Sequence, residues 1–123
     1  MATLTPTLTL SSSDMNGDTL NLSVTDSLSI LGQVTTKQVV SSTTGVVFAA
    51  AANYTKSYVY LKNLSTTAAE IITIEKADGG DEYMTLGAGE FAFFPWASTV
   101  DLAVDAAQGT PTLEVRIYQE AAA

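Results

Sequence analysis

Alternation with a period of two runs through most of this chain. Leu4, Pro6, Leu8 and Leu10 alternate with Thr3, Thr5, Thr7 and Thr9. Successive side chains of extended backbone point to opposite sides, so this pattern predicts a strand with one apolar and one hydroxyl-bearing face. The polar cluster Ser11 to Asp18, with Gly17 in it, interrupts the pattern as a turn. Leu20, Leu22 and Val24 resume it, and Leu28 and Ile30 continue it to a predicted end at Gly32.

Val39-Val40 and Val46-Val47-Phe48 predict two further strands, and 49–56 reads as a loop or a single helical turn. The run 58–63 (YVYLKN) is rich in aromatic and β-branched residues and leads into the turn 63–67. Ile71 to Ile74 is the next strand, and Ala77-Asp78-Gly79-Gly80-Asp81 reads as a hairpin loop. Strands at 83–86, 91–96 and 100–104 follow, with Gly87-Ala88-Gly89 as a tight turn. After a turn at Gln108 to Pro111, Leu113, Val115 and Ile117 close the chain, and 119–123 reads as a frayed tail.

Eight or nine short strands at roughly 8–12-residue spacing predict an all-β fold, an antiparallel β-sandwich for which a jelly-roll is one admissible connectivity. Strand order does not follow from the pattern. The 123 residues fit one domain. Within it, 1–10 reads either as the first strand, the reading preferred here, or as an N-terminal arm able to add to a neighbour's sheet edge.

Composition narrows the function more than the fold. The chain carries 13 acidic against 5 basic residues, a formal net charge of −8. That sign repels phosphate backbones and anionic lipid, so neither nucleic acid nor membrane is expected as a partner. No apolar run approaches the roughly 20 residues of a membrane-spanning helix, and Met1 to Pro6 lacks the basic start of a signal peptide. Charge is also unevenly spread. No carboxylate occurs between Ser27 and Ala69, where Lys37, Lys56 and Lys62 all fall. This is either the scatter of a polar surface or a mildly basic docking face.

Histidine and cysteine are both absent. Their absence removes the commonest general base, the thiolate nucleophile and the usual transition-metal ligands together. The carboxylates cluster at turns or on outward strand positions, so paired-carboxylate hydrolysis is not expected. Asp14-Met15-Asn16-Gly17-Asp18 opens like a calcium loop, but its glycine comes one step early and no glutamate follows at the bidentate position. It reads as a plain turn, as does the acidic tip at 78–82. No enzyme activity, metal or cofactor is expected.

The segment 91–96 (FAFFPW) is apolar on both faces. Phe91, Phe93 and Pro95 point one way and Phe94 and Trp96 the other. Pro95 cannot donate to a ladder and pushes the strand toward a sheet edge. Such a strand either fills the core or turns Phe94 and Trp96 outward to an oligomer contact, with Tyr58 and Tyr60 joining them. Exposed aromatics also stack on sugar rings, the basis of a carbohydrate-binding alternative.

The block 58–67 (YVYLKNLSTT), the strand Ile72-Thr73-Ile74 and the block 86–95 (LGAGEFAFFP) together resemble small virion structural proteins of tailed bacteriophages, cyanophages among them. The resemblance covers about the central third of the chain. It implies a capsid decoration, or cement, protein on the outer surface of the virion, β-rich and homotrimeric, with the major capsid protein as partner. Under it, Tyr58, Tyr60, Phe94, Trp96, Lys37, Lys56 and Lys62 are the candidate oligomer or capsid interface. The competing expectations are a carbohydrate- or receptor-binding module of a fibre or spike, and a neck or tail connector.

Overall fold

The computed structural model describes residues 1–15, 20–77 and 81–121, which contain eleven strands and no α-helix. The strands are β1 (Ala2–Leu4), β2 (Thr7–Ser12), β3 (Leu20–Thr25), β4 (Leu28–Val40), β5 (Val46–Ala49), β6 (Ser57–Asn63), β7 (Ile72–Lys76), β8 (Glu82–Leu86), β9 (Phe91–Trp96), β10 (Leu102–Ala106) and β11 (Thr112–Glu120). All are paired antiparallel, in a five-stranded sheet β1-β4-β11-β6-β9, a four-stranded sheet β5-β10-β7-β8 and a separate ribbon β2-β3. The fold is all-β, as the alternation predicts.

Strands β4 to β11 nest in pairs: β4 with β11, β5 with β10, β6 with β9, β7 with β8. A hairpin rolled up on itself produces that order, so the sandwich is a jelly-roll. Its core lies between the two large sheets. Val59 and Leu61 of β6, and Leu113, Val115 and Ile117 of β11, meet Ile72 and Ile74 of β7, Leu102 and Val104 of β10, and Phe48 of β5. Strands in both sheets therefore present their alternate residues inward, and the two inner faces interdigitate.

Several boundaries differ from the sequence reading, each for a physical reason. The first predicted strand is divided at Pro6, which has no N–H to donate. Residues before it pair with β4 as part of the sandwich, and residues after it form the ribbon. The N-terminal segment is thus neither a free arm nor one core strand. Gly32 does not end β4. Tyr118 pairs with Val34 and Glu120 with Ile30, so Gly32 lies in a bulge where β4 is longer than β11 opposite it. The segment 49–56 holds the short 3₁₀ turn Ala51–Asn53. Of the tail expected to fray from residue 119, residues 119–121 are held by the sheet, and 122–123 lie outside the described residues. The Glu120 N–H donates to Lys56 at 2.9 Å and the Ala121 N–H to Ser29 at 3.0 Å. The predicted tip at Asp78–Gly80 and the residues Asn16–Asp18 of the calcium-like run lie outside the described residues.

Turns are sealed by a few polar residues. Asn63, wholly buried at the end of β6, donates from Nδ2 to the Glu70 and Leu86 carbonyls at 2.9 and 3.1 Å, and its Oδ1 accepts from the Ser65 N–H at 3.0 Å. Gly89, at φ 79°, takes a left-handed conformation that a side chain resists. In that turn the Glu90 carboxylate accepts the Gly87 N–H.

Candidate functional site

The outer face of the five-stranded sheet is where this molecule departs from a water-facing surface. Directly opposed residues in antiparallel strands point to the same side, so the register lays out three rows across β11, β6 and β9. They are Tyr118–Tyr58–Pro95, Arg116–Tyr60–Phe93 and Glu114–Lys62–Phe91. Phe91 is 63% exposed and Phe93 40%. The Tyr58 and Phe93 rings stack nearly parallel, with centroids 6.4 Å apart. At one end the Tyr58 hydroxyl donates to Glu120 Oε1 at 3.0 Å, and Lys56 Nζ lies 3.4 Å from the same oxygen and 5.4 Å from the Tyr58 ring centroid.

The ribbon overhangs this face. Leu8 and Val24 form a directly opposed pair, and Leu10 and Leu22 form the next pair on the same side. A cleft of about 630 Å³ lies beneath it, lined by Leu8 and Val24 of the ribbon, by Pro6, by Leu4 and Leu28 at the sheet edge, and by Tyr58, Tyr60, Phe91, Phe93 and Tyr118 of the sheet face, with Asp26, Glu114 and Arg116 as its charged groups. Partial burial, with the Glu114 carboxylate beside it, raises the Tyr60 phenol above its ordinary pKa. The Lys56 ammonium is raised as well, by its hydrogen bond to Glu120 and the charge of that carboxylate.

Three of the sequence-predicted interface residues, Tyr58, Tyr60 and Lys62, share this face, and Lys56 borders it. Two others do not. Phe94 pairs with Val59, a core residue, so it turns inward, and Trp96 is only 5% exposed. The Trp96 indole N–H donates to the Val100 carbonyl at 3.2 Å, and its ring lies 5.8 Å from that of Tyr54. Strand β9 is an edge of its sheet, as Pro95 requires, but its outward aromatics are Phe91 and Phe93. Lys37 is opposed to Val115, whose side chain is in the core, so it lies on the other side of the sheet from Lys62. The three lysines do not form one basic face.

The sequence reading missed Phe91, Phe93, Tyr118 and the leucine side of the ribbon as surface features. Alternation separates Phe91 and Phe93 from Phe94 and Trp96, but only pairing with β6 says which set faces water. Among the described residues, no three carboxylates come together in a way that could hold a metal ion. No helix there is long and apolar enough to cross a membrane.

No family model and no curated protein matches the chain. A solved chain from Bacillus endospore appendages, which are described as a novel family of disulfide-linked pili, is similar in structure. The TM-score is 0.51 at 15% identity, over 76% of this chain and 90% of that one. This is a likeness of fold. The present chain has no cysteine with which to form a disulfide.

Proposed function

We propose that this chain is a structural subunit that works by binding other proteins rather than by catalysis, and that it decorates the outer surface of a tailed-phage capsid. The observation that carries the first half is the aromatic face, where Phe91 and Phe93 stand in water above a sheet that is otherwise well packed. Exposed aromatics of this size at an edge strand are costly to a free subunit and useful at an interface, where they supply much of the binding energy. A chain without histidine or cysteine has little with which to do chemistry there. The second half follows from the resemblance of the blocks at 58–67 and 86–95 to phage virion proteins.

The mechanism is linkage. A protein that binds the expanded lattice and not its precursor stabilises the expanded form by the free energy of that binding. A trimer would multiply weak single contacts. The test is co-sedimentation with expanded and with immature capsids of the phage that encodes it. Binding to expanded capsids alone is the expected result, and no binding to either removes the capsid assignment.

One observation favours a second reading. The cleft combines the ring surfaces of Tyr60 and Phe93 with the polar groups of Asp26, Glu114 and Arg116, the ingredients of a sugar-stacking site. Saturable glycan binding lost in a Tyr60→Ala variant would favour a receptor-binding module.

A further inference from the structure

We infer that the β2–β3 ribbon is a hinged cover that closes on the aromatic face of its own chain, so that the face must be uncovered before a partner can use it. The inference rests on the reading of that face as an interface and adds its regulation. The ribbon belongs to neither large sheet. It leaves the sandwich after Pro6 and returns at Asp26. One backbone bond, from the Asp26 N–H to the Pro6 carbonyl at 3.1 Å, ties these two crossings together. The Thr7 and Thr25 hydroxyls, 3.2 Å apart, pair just beyond it. Two paired strands that meet the body through adjacent crossings make a flap, with the few residues at the crossings as its hinge.

The flap already faces its seat. Leu8 and Val24 line the cleft opposite Tyr60 and Phe93, and Leu10 and Leu22 continue the same side of the ribbon. These four aliphatic side chains remain 41–52% exposed, and Phe93 across the gap remains 40% exposed. A two-stranded ribbon is marginal in water unless something covers its apolar side. Apolar walls also hold the water between them weakly. Moving the ribbon onto the sheet takes both walls out of water together, with no new chain to recruit. Charge does not oppose the movement. Arg116 lies 3.7 Å from Glu114 and so enters with its counter-ion. Asp26 stays exposed at the hinge, and Asp14 lies past the far end of β2.

The chain has no cysteine, so a single introduced thiol reports without interference. Leu8→Cys lies on the covering side of the ribbon and Thr9→Cys on the opposite side. Reaction with a small thiol reagent is timed for each, relative to the same chain unfolded in urea, and circular dichroism checks that each folds as wild type does. With the ribbon open about a tenth of the time, Leu8→Cys should react ~10-fold more slowly than Thr9→Cys, at every protein concentration. Adding Phe93→Ser to the seat, or Val24→Asp to the ribbon, should bring the two rates together. Equal rates without those changes, or protection that survives both of them, overturn the inference. Protection lost on dilution would belong to a second copy and overturns it as well. The same open fraction weakens partner binding by ~10-fold, so Val24→Asp should bind expanded capsids that much more tightly than wild type. Binding no tighter than wild type would overturn the covering role. Wild type that ignores capsids removes the capsid assignment and leaves the thiol result standing, so the two failures are told apart.

Discussion

Replacing Asn63 probes how the jelly-roll is closed. Its buried amide ties the ends of β6 and β8 to the loop 64–71 through the Leu86 and Glu70 carbonyls and the Ser65 N–H. Its backbone adds two bonds, donating to the Glu90 carbonyl at 3.0 Å and accepting from the Gly89 N–H at 2.9 Å. Asn63→Ala leaves three hydrogen-bond partners unpaired, at ~1–3 kcal/mol apiece when dry, and water entering the space of the lost amide holds the sum near the lower end of that range. A loss of about 3–5 kcal/mol follows, a large part of the ~5–15 kcal/mol by which domains are stable. The assay is urea unfolding followed by the fluorescence of Trp96, with the denaturant slope held as a check that the denatured state is unchanged. The melting temperature should fall by about 10–20 °C. A loss below ~1 kcal/mol would show that the amide is not the tie described here.

Asn63→Asp sharpens the same test, because it keeps the shape and puts a carboxylate against two carbonyl oxygens. Burial and that repulsion raise the folded-state pKa of the new carboxyl above its unfolded value of ~3.9. A group raised in the folded state has its full stability below the unfolded pKa and loses it as pH rises through the folded one. The stability gap to wild type should therefore be smallest below about pH 4 and widen towards pH 7. A gap independent of pH would refute the buried placement.

Trp96 is the single tryptophan, so its emission should be blue-shifted and resist aqueous quenchers, and a water-like spectrum would contradict its inward orientation. Trp96→Ala should cost ~3–5 kcal/mol in the same unfolding assay, while Phe91→Ala should leave stability within ~0.5 kcal/mol; equal costs would mean the two faces of β9 are assigned wrongly. The Tyr60 phenol is raised above its ordinary pKa by partial burial and Glu114, so one tyrosinate component should titrate late in wild type and vanish in Tyr60→Phe. Because the phenol is raised in the folded state, the stability it contributes is present below its unfolded pKa of ~10 and is lost as pH climbs through the folded value.

Much of the fold is legible in residues taken in order. Period-two alternation marks most strands, and Gly87-Ala88-Gly89 and Gln108 to Pro111 mark turns that the structure contains. Pro95 placed β9 at an edge correctly. Gly32 misled, because a bulge inside a long strand and a strand end look alike when the partner strand is unknown. At the candidate site, Tyr58, Tyr60 and Lys62 could be grouped from their spacing on one strand. Lys37 could not be placed, since its side depends on pairing with Val115, nearly eighty residues away along the chain.

Residue order and composition alone settle the all-β class, the lack of histidine and cysteine, the acidic balance, and the division of each strand into two opposed sets of side chains. Those properties are local or compositional, and no partner strand is needed to read them. Which set is inside is settled by strand pairing. Register with Val59 sends Phe94 and Trp96 to the core and leaves Phe91 and Phe93 in water, and a shift of one residue would exchange them. Tertiary pairing also decides that residues after Pro6 leave the sandwich as a ribbon above that face, because the nested pairing of β4 to β11 completes both sheets without them.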